Sequence, residues 1–177
     1  MFEAQTKAMK LDAFITYALL PENIGHNLEL INGEIVKKRP VSNRNLDIIT
    51  RLVTETRRHC DSTGIPCVIS TCDGPYHIGQ NIVGPDFAYK TTGLTNVYPD
   101  PPLWIAEVMT PEDRMIETSG KRRKYIQSGI LYWEVYPAEY LVDVYVPGKP
   151  MKTYGINDVI AVNVIAGLKI PVAKLFR

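Results

Sequence analysis

The chain has 177 residues, of which 45% are hydrophobic and 22% charged, with a formal net charge of +1. That length fits one domain whose core is large enough to stand alone, and the composition is ordinary for a soluble globular protein. A net charge so close to zero excludes a bulk polycation, so any nucleic-acid contact must come from local basic patches.

In chain order, Leu11, Phe14, Ile15, Ala18 and Leu19 sit at helical spacing, and Pro21 and Gly25 mark the end of a short amphipathic helix. HNLELINGEIVKKRP reads as a hairpin turning at Asn32-Gly33, a strong two-residue turn signal. Glu29 and Glu34 flank that turn, and each can be an exposed cross-strand acid. Lys37, Lys38 and Arg39 close the second strand, where a charged end is usually solvated. SNRNLDIITRLVTETRRHCDSTG is the clearest helix. Ser42 or Asn43 can cap it, Leu46, Ile49, Leu52, Val53 and Thr56 form its apolar stripe, and Gly64 closes it. IPCVISTCDGPYHI reads as a strand with a turn or bulge at Asp73-Gly74. It leads into NIVGPDFAYK as a second strand, and LWIAEV follows as a third after the Pro-rich loop Tyr98 to Pro102. Met115 to Gly129 has helical spacing through Ile116, Tyr125 and Ile126. LYWEVYP and YLVDVYVPG then form two strands around a turn at Pro137-Ala138-Glu139. The remainder reads as short strands and turns, with Leu168, Ile170, Val172, Leu175 and Phe176 packing back on the sheet.

Asp86 and Glu107 each stand inside a mostly apolar strand run, where a carboxylate has few partners and a high desolvation cost. Two such acids on neighbouring strands repel unless a cation lies between them. A hard divalent ion answers that need, since Mg²⁺ typically uses one or two carboxylates with water and substrate phosphate. Each acid taken alone can equally be solvated or paired with an arginine. Lys121 shares a helix face with Tyr125, four residues on. Because Lys121, Arg122, Arg123 and Lys124 run together and cannot all point inward, the residues by themselves favour a solvated cationic face for that lysine. Cys60, Cys67 and Cys72 cannot all pair within one chain and contain no C-x-x-C unit. A zinc site is therefore not expected even with His59 and His77 nearby, and buried free thiols suit a reducing cytoplasm. No signal peptide is read, and the apolar stretch near Val159 to Leu168 is too short and interrupted to span a membrane.

Five segments carry a resemblance: LELINGEIV (28–36), GPDF (84–87), IAEVMTPE (105–112), KRRKYIQSGI with YW after it (121–133) and GLKIPVAKLF (167–176). In this order the chain resembles, nearly end to end, the Uma-type restriction endonuclease family of the PD-(D/E)XK nuclease superfamily. The resemblance implies an α/β, restriction-endonuclease-like fold, a central mixed β-sheet flanked by helices with an N-terminal helix and β-hairpin added, as a single nuclease domain over 1–177. In this family the motif lysine does not stand two residues after the glutamate, a position held here by Met109. It comes from the following helix, four residues before a tyrosine, which matches Lys121. Glu29 matches the glutamate that opens the acidic pattern. Thr110-Pro111-Glu112 replaces the usual Ser-Pro-Ser, and SNRNLD lacks the histidine common near the start of the second helix.

The implied chemistry is hydrolysis of a DNA phosphodiester. Asp86, Glu107 and the backbone carbonyl of Val108 would hold Mg²⁺ or Mn²⁺. Lys121, a lysine without an acid partner of its own, would meet the phosphate, and Glu29 would serve a second metal or its water. Arg122, Arg123 and Lys124 are candidate contacts to backbone phosphates. A cytoplasmic homodimer is expected, since cutting both strands favours two sites. The alternatives are a nucleic-acid-binding domain that does not cut and a dimerising interaction module using a sheet edge.

Overall fold

The computed structural model describes residues 8–38, 40–72, 74–94, 98–110 and 117–177. Its centre is a six-stranded mixed sheet in the order β10-β9-β8-β7-β6-β3, built from β3 (Val68–Thr71), β6 (Phe87–Lys90), β7 (Trp104–Val108), β8 (Leu131–Tyr136), β9 (Leu141–Tyr145) and β10 (Lys152–Tyr154). Every neighbouring pair is antiparallel except β7 and β8. A parallel pair needs a crossover, and helix α3 (Glu117–Gln127) supplies it. The expected mixed sheet flanked by helices is therefore the fold observed.

The expected hairpin addition is larger than the sequence suggested. β1 (Leu28–Ile31) and β2 (Glu34–Lys37) join β4 (Tyr76–Ile78) and β5 (Asn81–Val83) in a four-stranded sheet of order β2-β1-β5-β4. NIVGPDFAYK, expected as one strand, is thus two strands in two sheets. Gly84-Pro85-Asp86 is the crossing, where Pro85 lacks the N–H that a continuous ladder would use. Likewise IPCVISTCDGPYHI divides into β3 and β4, with Cys72 at φ +49; Asp73 lies outside the described residues. β11 (Val159–Ala161) and β12 (Lys169–Pro171) form a small separate ladder before α4 (Ala173–Phe176).

Alternation along the central strands sorts its two faces. Trp104, Ala106 and Val108 of β7, Phe87 and Tyr89 of β6, and Leu131, Trp133 and Val135 of β8 pack with Ile48, Ile49 and Leu52 of α2 (Asn43–Thr63) and with the C-terminal segment. Ala88, Ile105 and Tyr132 point the other way, against Tyr125 of α3 and Tyr76, Ile78 and Val83 of the second sheet. By the same period of two, Asp86, Glu107 and Glu134 belong to the α3 side. On the second sheet, Leu30 and Ile82 pack under Phe14 of α1 (Leu11–Ala18), so Glu29 and Ile31 turn inward.

α2 starts as expected, with Ser42 Oγ accepting from the Asn45 N–H, and ends at Gly64 in the left-handed region. Its buried stripe runs through Asn45, Ile48, Ile49, Leu52, Thr56 and Cys60, which leaves the expected Leu46 exposed. Of the three cysteines, Cys60 is buried and Cys67 and Cys72 are half-buried. No helix among the described residues is long and apolar enough to cross a membrane.

The hairpin turns at Asn32 (φ +53) and Gly33 (φ +84), which pairs Ile31 with Glu34 and Glu29 with Val36. A Cβ at Gly33 would stand 2.6 Å from the Ala8 Cβ. Gly33→Ala therefore meets both an unfavourable φ and a neighbour that must move. It is expected to lower stability by about 2 kcal/mol in urea unfolding.

Candidate active site

Five charged side chains meet where the two sheets and α3 converge. Asp86 sits immediately before β6, opposite Glu107 of β7, and both are largely buried. The Asp86 N–H donates to Glu107 Oε2 (3.3 Å), and the Val108 N–H donates to Asp86 Oδ2 (2.9 Å). The two expected acids are therefore adjacent, Glu107 held by the Asp86 backbone and Asp86 by that of Val108. Glu107 Oε1 accepts from the Tyr125 hydroxyl at 3.2 Å.

Lys121 and Tyr125, one turn apart on α3, both turn into this centre, so the solvated alternative for Lys121 does not hold. Against the expectation of a lysine without an acid partner, Lys121 is paired. Its Nζ lies 2.5 Å from Glu29 Oε2, and Glu29 is 1% exposed. The contact is an ion pair without well-directed hydrogen-bond geometry. The Gly84 N–H donates to the other Glu29 oxygen at 2.8 Å. Glu29 thus ties Lys121 to the strand crossing, and the exposed alternative for this acid is excluded by its burial.

Lys38 is the residue that sequence reasoning missed. Expected as part of a solvated strand end, it donates to Asp86 Oδ1 (2.9 Å) and to the Gly84 carbonyl (2.6 Å), with its side chain 14% exposed. Lys37 is exposed, and Arg39 lies outside the described residues. A signal for Lys38 was present. The Asn32-Gly33 turn pairs Val36 with Glu29 on one face, and Lys38, two residues beyond Val36, shares that face.

Three carboxylates and two ammonium groups leave this cluster one negative charge in excess when all are ionised. Burial, and then the Asp86 charge, push the Glu107 carboxyl up to about 7, against the pull of Lys38 and Lys121. Burial disfavours the Lys38 ammonium, but the Glu107, Asp86 and Glu29 carboxylates outweigh it and hold this lysine charged above its ordinary range. Burial and the Glu107 charge raise the Tyr125 phenol well above its usual value, so it remains a donor.

The expected basic run behaves unevenly. Arg122 makes a bidentate pair with Glu134, both distances 2.8 Å, and its guanidinium lies 5.0 Å from the Tyr145 ring centroid. Tyr136 and Tyr145 also donate to Glu134, which is wholly buried. Arg123 is exposed and Lys124 half-buried. Val108, the expected carbonyl ligand, accepts from the buried Asn45 amide at 3.2 Å, which leaves one of its two lone pairs. Asn45 stands in the α2 first turn, the region where the resemblance expects a histidine.

Among the described residues, no three or more His, Cys, Asp or Glu side chains are grouped so that they could hold a metal ion by themselves. Asp86 and Glu107 with a carbonyl oxygen nonetheless suit a hard ion, for which one or two carboxylates suffice and water and phosphate complete the shell. The excess negative charge is consistent with that fit.

The sequence profile of the Uma2 family, described as "Putative restriction endonuclease", matches residues 14–173. The chain belongs to the Uma2 family. A solved structure similar to it is the crystal structure of a putative nuclease belonging to DUF820 from Anabaena variabilis, with a TM-score of 0.78 and 18% identity. The match covers 95% of this chain and 97% of that one. None of the curated proteins compared with it matches the chain. Uma2 membership and the shared fold make this a nuclease-like protein, and they place α3 and the strand crossing within the matched span.

Proposed function

We propose that this chain is a metal-dependent endonuclease that hydrolyses DNA phosphodiesters at the Asp86–Glu107–Lys121 centre. The supporting observation is the adjacency of Asp86 and Glu107, fixed by the Asp86 and Val108 N–H groups, with Lys121 brought to them by the next helix. Asp86 and Glu107, with the free lone pair of the Val108 carbonyl, would hold Mg²⁺ or Mn²⁺. Bound there, the ion would shield the phosphodiester and polarise its oxygen.

The chain's own residues do the rest. Glu29 holds Lys121 at the rim, where its ammonium can meet the scissile phosphate and stabilise charge that grows in the transition state. Tyr125 orients Glu107 through its hydroxyl, and the Val108 N–H fixes one Asp86 oxygen. Arg123, which is exposed, and Lys124, which is half-buried, would contact backbone phosphates and so position DNA without reading its sequence. Arg122 is engaged by Glu134 and is not carried into this role. Pairing of two copies, which would allow both strands to be cut, belongs to the same reading.

The test is incubation with supercoiled plasmid, with and without Mg²⁺ or Mn²⁺. Nicking or linearisation that needs the metal and disappears in Asp86→Asn is the expected result. No cleavage of plasmid, single-stranded or branched DNA at any metal concentration would reject it in favour of a binding domain that does not cut.

A further inference from the structure

Lys38 is not required by the chemistry above, yet it makes two close contacts at its centre. Its ammonium donates to one carboxylate oxygen, Asp86 Oδ1, and one carbonyl oxygen, that of Gly84. These are hard oxygen donors, of the kind a divalent ion takes. The other Asp86 oxygen is already engaged by the Val108 N–H, so Oδ1 is the oxygen left for a cation, and Lys38 holds it.

Charge gives the same result. With Lys38 in place, Glu29, Asp86, Glu107, Lys38 and Lys121 sum to one negative charge when all are ionised, and a divalent ion would leave a net positive, mostly buried cluster. With Lys38 withdrawn, the same ion with Lys121 balances the three carboxylates. Withdrawal is a movement of the side chain alone: just past the end of β2 and beside the exposed Lys37, the Lys38 backbone N–H stays bonded to the Asn27 carbonyl (2.8 Å), and the side chain is 14% exposed.

We propose that Lys38 is an internal competitor for the metal: it occupies the Asp86 oxygen in the metal-free protein, and divalent-cation binding requires its ammonium to leave. The inference rests on the metal reading of Asp86 and Glu107. It adds a regulatory contact that couples metal loading to release of a cation at the mouth of the site. Lys38 is then a brake on metal affinity and a prop for the metal-free fold. Removing its charge tightens the first and weakens the second.

The experiment is a Mn²⁺ titration by calorimetry on the wild type, Lys38→Met and Asp86→Asn, with folding checked by circular dichroism. Lys38→Met is expected to bind at least about tenfold tighter, corresponding to roughly 1.4 kcal/mol, and Asp86→Asn to lose binding. A second readout uses only the wild type: acylation of lysines, read by mass spectrometry, should rise at Lys38 as Mn²⁺ is added. Equal or weaker affinity in a folded Lys38→Met overturns the competitor role and leaves the metal site standing. So does binding in the wild type with unchanged labelling of Lys38. Absence of Mn²⁺ binding in both wild type and Lys38→Met overturns the inference together with the metal reading.

Discussion

Lys121→Met is expected to reduce metal-dependent plasmid nicking by about 10²- to 10³-fold, the usual cost of deleting one preorganised group that stabilises transition-state charge. The substitution also strands Glu29, which is 1% exposed and, among the described residues, would keep only the Gly84 N–H as a hydrogen-bond donor. Loss of stability is therefore expected beside loss of activity, because removing one member of a buried pair leaves an uncompensated charge. The two effects separate in the double variant Lys121→Met with Glu29→Gln. Its amide needs no counter-ion, so urea unfolding should return most of the way to wild type. Cleavage, measured as a single-turnover rate at saturating metal, should remain low. Recovery of cleavage along with stability would make Lys121 a structural residue only.

The second large effect lies one residue further along α3. Arg122→Met removes the guanidinium that pairs with Glu134 and leaves a fully buried carboxylate whose remaining donors, among the described residues, are the Tyr136 and Tyr145 hydroxyls. Breaking a buried pair costs about 3–5 kcal/mol. Arg122 is a third exposed and two hydroxyls remain, so the lower end, about 3 kcal/mol, is expected. For a chain of this size that lowers Tm by roughly 6–12 °C. Adding Glu134→Leu should restore much of the loss, since an apolar pair of similar volume avoids the desolvation of both charges. A double variant no more stable than Arg122→Met would show that Glu134 is retained for its tyrosine partners, not for the arginine. Because Arg122 and Lys121 are neighbours, the Glu134 pair also helps seat α3 on the sheet, and Arg122→Met is expected to lower nicking as well.

Much of the candidate site was legible in the chain. Asp86 and Glu107 stood out as acids inside apolar runs, and the Uma-type pattern pointed to Lys121 and Glu29. The hairpin turn at Asn32-Gly33 was readable because two residues with positive φ have a narrow chemistry. Lys38 escaped because composition alone makes a cationic strand end look solvated, although the register set by that turn already put it on the Glu29 face. The basic run after Lys121 misled in the same way. Arg122 resembles its neighbours in sequence, but helical geometry turns it toward Glu134 while Arg123 stays in solvent.

The division of NIVGPDFAYK was harder to foresee. Both halves have strand composition, and Pro85 between them reads equally well as an edge residue. Only the pairing of β5 with β1 and of β6 with β7 shows that the chain changes sheets there. That change matters for function, because it exposes the Gly84 N–H and carbonyl to Glu29 and Lys38 and sets Asp86 at the junction.

Local physical rules therefore determined the elements, the turn at Gly33, the capped helix from Ser42 and the choice of acids, since each depends on residues close in sequence. Tertiary structure alone decided which charges meet. The Glu29–Lys121, Lys38–Asp86 and Arg122–Glu134 pairs join strands and helices through sheet register and a crossover. Register between distant strands is set by the packing of whole faces, not by any short run of sequence.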